Sequence, residues 1–339
     1  MVRLLTLHPH IITAELLEAA NKNGIYTVHS LMKMSSTEAA NKLKTTEKVI
    51  NSIRKLIMIK YAARVHTAKD IMEYHNSTGI KISTGSYHID TFLLYDGIDQ
   101  CHITEFVGPT LSGKTQICLT SCLSVVSNKS NSTALYIDTQ NSFSEKRFAE
   151  MYENRTDCES SLVESLNRVR VANTFEASDL LDLLIHVASE IKKDSSVFYG
   201  SLKLIIVDSI TLLFTKLSSS YKSNANDPKL GEQLMDDIVR LMRNIATEYN
   251  IAFLITNNVV NDSQPNTRNV VKPALGIPFK SCCSTQIAIN IKYNEDSNEE
   301  EQGTRIAKLI KSNVHPANRV VTFLLGIGGV QNSLTGNDH

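Results

Sequence analysis

A chain of 339 residues, 42% hydrophobic and 21% charged, has the composition of an ordinary globular protein and the length for one large α/β domain plus a small second one. Its 35 Lys and Arg residues balance 35 Asp and Glu, so the formal net charge is zero; nothing global argues for nucleic acid, and any such contact needs a local basic patch. No run reaches the roughly 18 apolar residues that a membrane helix requires.

Residues 11–60 read as helical. Thr13 can cap a helix through Ala14-Glu15-Leu16-Leu17-Glu18-Ala19-Ala20, whose apolar residues return at helical spacing, and Gly24 is a fitting stop. Short helices are predicted near 27–34 and 36–43. A longer one runs from about Thr46 to Ala63, with Val49, Ile50, Ile53, Leu56 and Ile57 on one stripe. This assigns a small all-α domain to residues 1–60. A polar linker with histidines and an Asn76-Ser77-Thr78-Gly79 turn signal follows over 61–78.

From residue 79 short apolar runs alternate with helical segments, the pattern of a mainly parallel sheet with helices on its faces. The runs are Ile103–Val107, Ala134–Ile137, Val169–Val171, Leu204–Val207 and Ala252–Ile255. Three later runs, 286–291, 305–310 and 319–325, have little helix between them and predict an antiparallel extension. The core domain is thus placed at 79–330, with a polar tail that frays over 331–339. Two segments read as mobile: Thr215–Leu230, rich in Ser, Asn and Lys, and Val260–Pro278, rich in Asn, Ser and Pro. Asn294–Gly303, with five acidic residues, reads as a solvated hairpin tip.

The six cysteines form no CxxC pair, and Cys118 and Cys122, four apart on a predicted helix, fit one packed face better than a metal site. The first residues carry no signal-peptide pattern, so reduced thiols in an intracellular compartment are the expectation.

The strongest chemical signal is Gly108-Pro109-Thr110-Leu111-Ser112-Gly113-Lys114-Thr115, which fits G-x-x-x-x-G-K-[ST] at every fixed position. A predicted strand precedes it and a predicted helix follows. Such a loop aims backbone N–H groups and the positive end of a helix at a β-phosphate. Lys114 then reaches the β- and γ-oxygens of ATP, and the Thr115 hydroxyl binds Mg²⁺. The partner signal is Leu204-Ile205-Ile206-Val207-Asp208-Ser209, a buried strand ending in an acid. Asp208 is assigned to the Mg²⁺ shell. Many P-loop ATPases place a catalytic Glu after that acid; here it is Ser209, so any base must come from elsewhere.

These motifs, with Ile82-Ser83-Thr84-Gly85, Ile89-Asp90, Ile103-Thr104-Glu105, Leu135-Tyr136-Ile137-Asp138-Thr139 and Ile255-Thr256-Asn257, resemble the eukaryotic strand-exchange recombinases of the RecA superfamily over about residues 10 to 330. Ser83-Thr84-Gly85, Lys272-Pro273-Ala274-Leu275-Gly276 and the stretch from Ala307-Lys308 to Lys311-Ser312 look most like that family's D-type paralogue group. The resemblance implies a RecA-like P-loop ATPase core, α/β, with a small all-α N-terminal domain. It also implies a nuclear role in repair of DNA double-strand breaks by homologous recombination. The implied partners are the B-type and C-type paralogues, the short paralogue lacking the N-terminal domain, and single-stranded or branched DNA.

Departures from the family pattern are as informative. Where active recombinases carry a Glu that polarises the attacking water, this chain has Gln140, an amide that cannot take a proton as a carboxylate does. General-base help of that class is worth about 10²–10⁴-fold in rate; Gln140 could instead orient water. At the γ-phosphate sensor the family has Gln, and this chain has the shorter Asn258. The family's Phe-x-x-Ala polymerisation peptide corresponds to Val65-His66-Thr67-Ala68, where Val65 fills less of an aromatic pocket and its loss as an anchor costs on the order of 2 kcal/mol; the same residues also read as a plain helix end. The helical domain's turn, Leu43-Lys44-Thr45-Thr46, lacks the glycine that brings N–H groups to a DNA phosphate, which favours protein contact for residues 1–60.

By the same resemblance Arg147 lies against the adenine face, or else is a solvated helix arginine. Lys311 falls in the ATP-cap segment, within reach of a neighbour's γ-phosphate, or else is a surface lysine. The two mobile segments correspond to DNA-facing loops. The first carries Lys216, Lys222 and Lys229, and the second Arg268 and Lys272 with Lys280 just past its end, a set suited to backbone contact with single strands. Two enzyme readings compete with an accessory ATP-binding subunit that hydrolyses ATP weakly or not at all. One is an active strand-exchange recombinase, which Gln140 and Val65 oppose. The other is a P-loop kinase, for which no arginine-rich lid is visible.

Overall fold

The computed structural model describes residues 4–7, 11–61, 67–70, 72–73, 79–193, 196–214, 229–261, 271–273, 279, 282–293, 300–313 and 315–332. They fall into two compact units, Met1–Asn76 and Ser77–His339. Among the described residues no helix is long and apolar enough to cross a membrane.

Among the described residues of the first unit are the helices α1 (Ala14–Lys22), α2 (Val28–Lys33), α3 (Ser36–Lys42) and α4 (Glu47–Tyr61). Thr13, Thr27 and Ser35 cap the first three, each hydroxyl accepting a backbone N–H three residues on. Gly24 stands just past α1 at φ +70°, and Ile25 N–H reaches back to Ala20 O at 2.9 Å, so the helix closes in a left-handed turn. The same closure follows α3. There Lys44 takes φ +53° and Thr45 N–H bonds Ala40 O at 2.9 Å, so a lysine occupies the backbone conformation usually given to glycine. The stripe on α4 is narrower than its sequence suggests. Ile50, Ile53 and Ile57 are buried with Leu31, Ala39 and Leu43, whereas Val49 and Leu56 are exposed.

The second unit is built on a nine-stranded sheet in the order β13-β12-β11-β10-β3-β7-β6-β4-β5. Its parallel part comprises β3 (Ile103–Val107), β4 (Thr133–Asp138), β5 (Val169–Asn173), β6 (Leu202–Asp208), β7 (Ala252–Asn257) and β10 (Thr285–Tyr293). β11 (Glu300–Lys311), β12 (Val320–Gly326) and β13 (Gly329–Asn332) continue it antiparallel. The run at 286–291 therefore closes the parallel part rather than opening the antiparallel extension. Two small ribbons stand apart: β1 (Lys81–Ile82) with β2 (Ile98–Asp99), and β8 (Val259–Asn261) with β9 (Val271–Pro273).

Strand alternation builds two cores. Phe106, Tyr136, Ile206 and Leu254 point to one face, which α5 (Lys114–Val126) and α6 (Glu145–Glu153) cover. Leu135, Ile137, Ile205, Val207, Phe253 and Ile255 point to the other, covered by α8 (Ala177–Lys193) and α10 (Lys229–Tyr249). A short α7 (Leu162–Asn167) leads into β5, and α9 (Val197–Gly200) leads into β6. Cys118 and Cys122 are fully buried on α5, and burial pushes the Cys122 thiol up to about 12, so both are packed thiols.

Described residues in several stretches read as loop belong to regular elements. Lys229 and Leu230 open α10; Val260 and Asn261 lie in β8; residues 271–273 form β9. Glu300–Gly303 belongs to β11, where Glu301 pairs with Lys292 at 2.9 Å, so the acidic stretch is partly strand. Gln331 and Asn332 pair with Leu324 and Phe323 in β13 instead of fraying.

Candidate functional site

The C-terminal ends of β3, β7, β6 and β4 lie side by side at one edge of the parallel sheet, the edge at which open α/β sheets bind ligands. Residues 108–113 leave β3 and feed α5 there. Leu111 at φ +67° and Gly113 at φ +102° fold them into a tight concave turn. A Cβ on Gly108 would stand 2.4 Å from the backbone Ile289 O, and Gly113 at φ +102° holds a conformation that strains any residue with a Cβ, so both positions call for glycine. The first-turn N–H groups of α5 have no carbonyl within the helix and face this turn.

Lys114 is largely buried, and its Nζ donates to Gly108 O and Pro109 O, both at 2.8 Å, which holds the ammonium across the turn. Burial lowers its pKa, and the charge of Asp208 partly restores it. Asp208 ends β6 with its carboxylate fully engaged. Oδ2 accepts Thr115 Oγ1 at 2.7 Å and Tyr136 OH at 2.8 Å, and Oδ1 accepts Thr256 Oγ1. Burial and the neighbouring carboxylate push the Tyr136 phenol far up, so it remains a donor.

The loop after β4 is set by Asp138, whose oxygens accept Gln140 N at 2.9 Å and Phe143 N at 2.7 Å. This turns Gln140 toward the site, where its Nε2 donates to Ser209 Oγ at 3.0 Å. The result is a cavity of about 330 Å³ lined by Thr110, Leu111, Gly113, Lys114, Thr115, Gln116, Gln140, Asp208, Ser209, Asn258 and Leu325.

The residues present fit a magnesium–triphosphate group. The turn is packed so closely that a Cβ at Gly108 would meet Ile289 O. Ser112 Oγ is buried in it without a hydrogen-bond partner, and Thr115 and Asp208 place two hard oxygen donors within 2.7 Å of each other.

Of the residues singled out in the sequence, Thr110, Leu111, Gly113, Lys114, Thr115, Gln140, Asp208 and Asn258 come together on this cavity. Arg147 does not line it and is not a solvated helix arginine. Its guanidinium donates to Gln116 Oε1 at 3.1 and 3.0 Å, to Gly326 O at 2.9 Å and to Ile327 O at 2.8 Å, tying α6 to the turn between β12 and β13. Lys311 also lies off the cavity of its own chain, with Nζ on Cys283 O at 2.6 Å. Lys216, Lys222, Arg268 and Lys280 lie outside the described residues, as do Val65 and His66; Lys229 and Lys272 are described in their backbone alone, in α10 and β9. Sequence reasoning missed Gln116, Ser209 as the partner of Gln140, and Leu325. The last comes from the antiparallel extension, 212 residues beyond Gly113, and carried no signal.

Fold and cradle together define a RecA-like P-loop core. The sequence matches the Rad51 family over residues 75–333, and the chain belongs to that family. It is 26% identical over 287 residues to the DNA repair protein RAD51 homolog 4 of Bos taurus, with 84% of each chain covered. To the probable DNA repair protein RAD51 homolog 4 of Dictyostelium discoideum it is 32% identical over 277 residues, covering 70% of this chain and 73% of that one. The crystal structure of the RadB recombinase is a likeness of fold: TM-score 0.57, 23% identity, 74% of this chain and 99% of that one.

Proposed function

We propose that this chain is an ATP-binding accessory subunit of homologous-recombination repair, a paralogue that holds its nucleotide more than it turns it over. One observation carries the reading: a complete phosphate cradle shares its cavity with an amide, Gln140, where the resemblance to active recombinases implies a carboxylate. Lys114 and the N-terminal turn of α5 bind the phosphates, and Thr115 and Asp208 hold Mg²⁺. When bound, that ion neutralises phosphate charge. Gln140 and Ser209 can orient a water by hydrogen bonds, but neither takes its proton.

The names of the relatives support a place in DNA repair, and with it in the nucleus. The paralogue resemblance supports B-type, C-type and short paralogues as partners, with single-stranded or branched DNA contacted through Lys216, Lys222, Lys229, Arg268, Lys272 and Lys280. By the same resemblance Lys311, which donates to Cys283 O here, would reach a neighbour's γ-phosphate.

Gln140→Glu tests the central point. Restoring the carboxylate should raise ATP turnover by about 10²-fold or more. A flat turnover in a variant that still binds ATP overturns the assignment of position 140. Strand exchange by the pure wild-type protein would overturn the accessory role.

A further inference from the structure

Glu105 lies in β3, the strand that carries the cradle, and is completely buried. Both of its oxygens are answered. Oε1 accepts Asn257 Nδ2 and Oε2 accepts Gln286 Nε2, each at 2.6 Å, from the strands on either side, β7 and β10. Burial pushes its carboxyl above the usual range, opposed by the bonds from Asn257, Gln286 and the Cys283 thiol and by the positive charge of Lys311. A buried carboxylate is tolerated only when so satisfied.

The bonds continue past Asn257. Its Oδ1 accepts Thr211 Oγ1 at 2.6 Å, and Thr211 Oγ1 accepts the backbone N–H of Asn258 at 2.8 Å. Donor and acceptor inventory makes this path directional. A carboxylate can only accept, so the Asn257 amide must turn its NH₂ toward Glu105. Its carbonyl oxygen then faces Thr211, which must give its one hydroxyl proton to that oxygen. The lone pairs left on Thr211 take Asn258 N–H. Asn258 shares the phosphate cavity with Gln140 and Ser209.

We infer that Glu105 is a positioning residue for nucleotide discrimination: through Asn257 and Thr211 it fixes Asn258 at the wall that the terminal phosphate of ATP reaches and ADP does not. The inference rests on the reading of the cavity as an ATP site. It is tested on the full chain by calorimetry with Mg-ATP and Mg-ADP, comparing wild type, Glu105→Gln and Thr211→Val. Glu105→Gln removes the charge that sets the direction, and Thr211→Val cuts the path one step later without touching Glu105. Both should weaken ATP about fivefold, the worth of one hydrogen bond, while ADP affinity changes by less than about twofold. An unchanged ATP-to-ADP ratio in both variants, with wild-type preference for ATP intact, overturns the role of Glu105 and leaves the ATP site standing. Wild-type protein that binds neither nucleotide removes the ATP site and the inference together. Should Glu105→Gln lose its cooperative melt, Thr211→Val decides alone: a lowered ratio supports the path and an unchanged ratio overturns it.

Discussion

Lys114 shows how one side chain serves two states of charge balance. Burial holds its pKa below the ordinary 10.5, against the charge of Asp208 and the two carbonyl oxygens that accept from the ammonium. The charged form is the one that attracts phosphate. If the cavity binds ATP as proposed, affinity should be full at neutral pH and fall as pH rises through that lowered pKa, earlier than a free lysine would lose its proton. Lys114→Ala should weaken ATP binding by more than about thirtyfold at pH 7, because truncation leaves phosphate charge unanswered in a partly desolvated site. It should also abolish the alkaline limb. Titration calorimetry between neutral pH and pH 10 checks both, and an alkaline limb that survives in the alanine variant would assign it to another group.

At the level of elements, α4 separates what patterning can and cannot say. Five apolar residues recur at helical spacing, yet three of them, Ile50, Ile53 and Ile57, supply the buried face. The core beneath α4 is small, and a helix of 15 residues offers a wider apolar arc than it can cover. Ile53→Ala should cost about 2–5 kcal/mol by opening a cavity, whereas Leu56→Ala should stay within about 0.5 kcal/mol. Urea denaturation compares them, and equal losses would mean that Leu56 is covered in solution. The parallel strands and the cradle were legible because each is contiguous: an apolar run, a glycine turn, a helix. β13 was not, since Gly329-Val330-Gln331-Asn332 has one large apolar residue and its place follows from the tight turn joining Gly326 to Gly329. The bond from Asn257 to Glu105 joins polar residues 152 positions apart, and no periodicity announces such a pair.

For the whole molecule the balance of charge sets a bound on nucleic-acid binding. With 35 basic and 35 acidic residues the chain has no net charge to draw a polyanion in, so any affinity for DNA must arise from local cations. The two segments proposed to face DNA contribute five, Lys216, Lys222, Lys229, Arg268 and Lys272, and Lys280 just past the second makes six. Each phosphate neutralised on a single strand adds about −0.7 to the slope of log K against log salt. The slope for one chain on an unstructured oligothymidine should therefore be no steeper than about −4, and replacing Arg268 and Lys272 together by alanine should flatten it by about 1.4 if both contact phosphate. Fluorescence anisotropy across a salt series gives both numbers. A slope well beyond the bound would place further cations at the interface, with the basic residues of the N-terminal unit, Lys44 and Lys48 among them, the next to replace. A slope near zero would remove DNA from the ligands of the isolated chain and leave protein partners as the route by which it reaches a repair site.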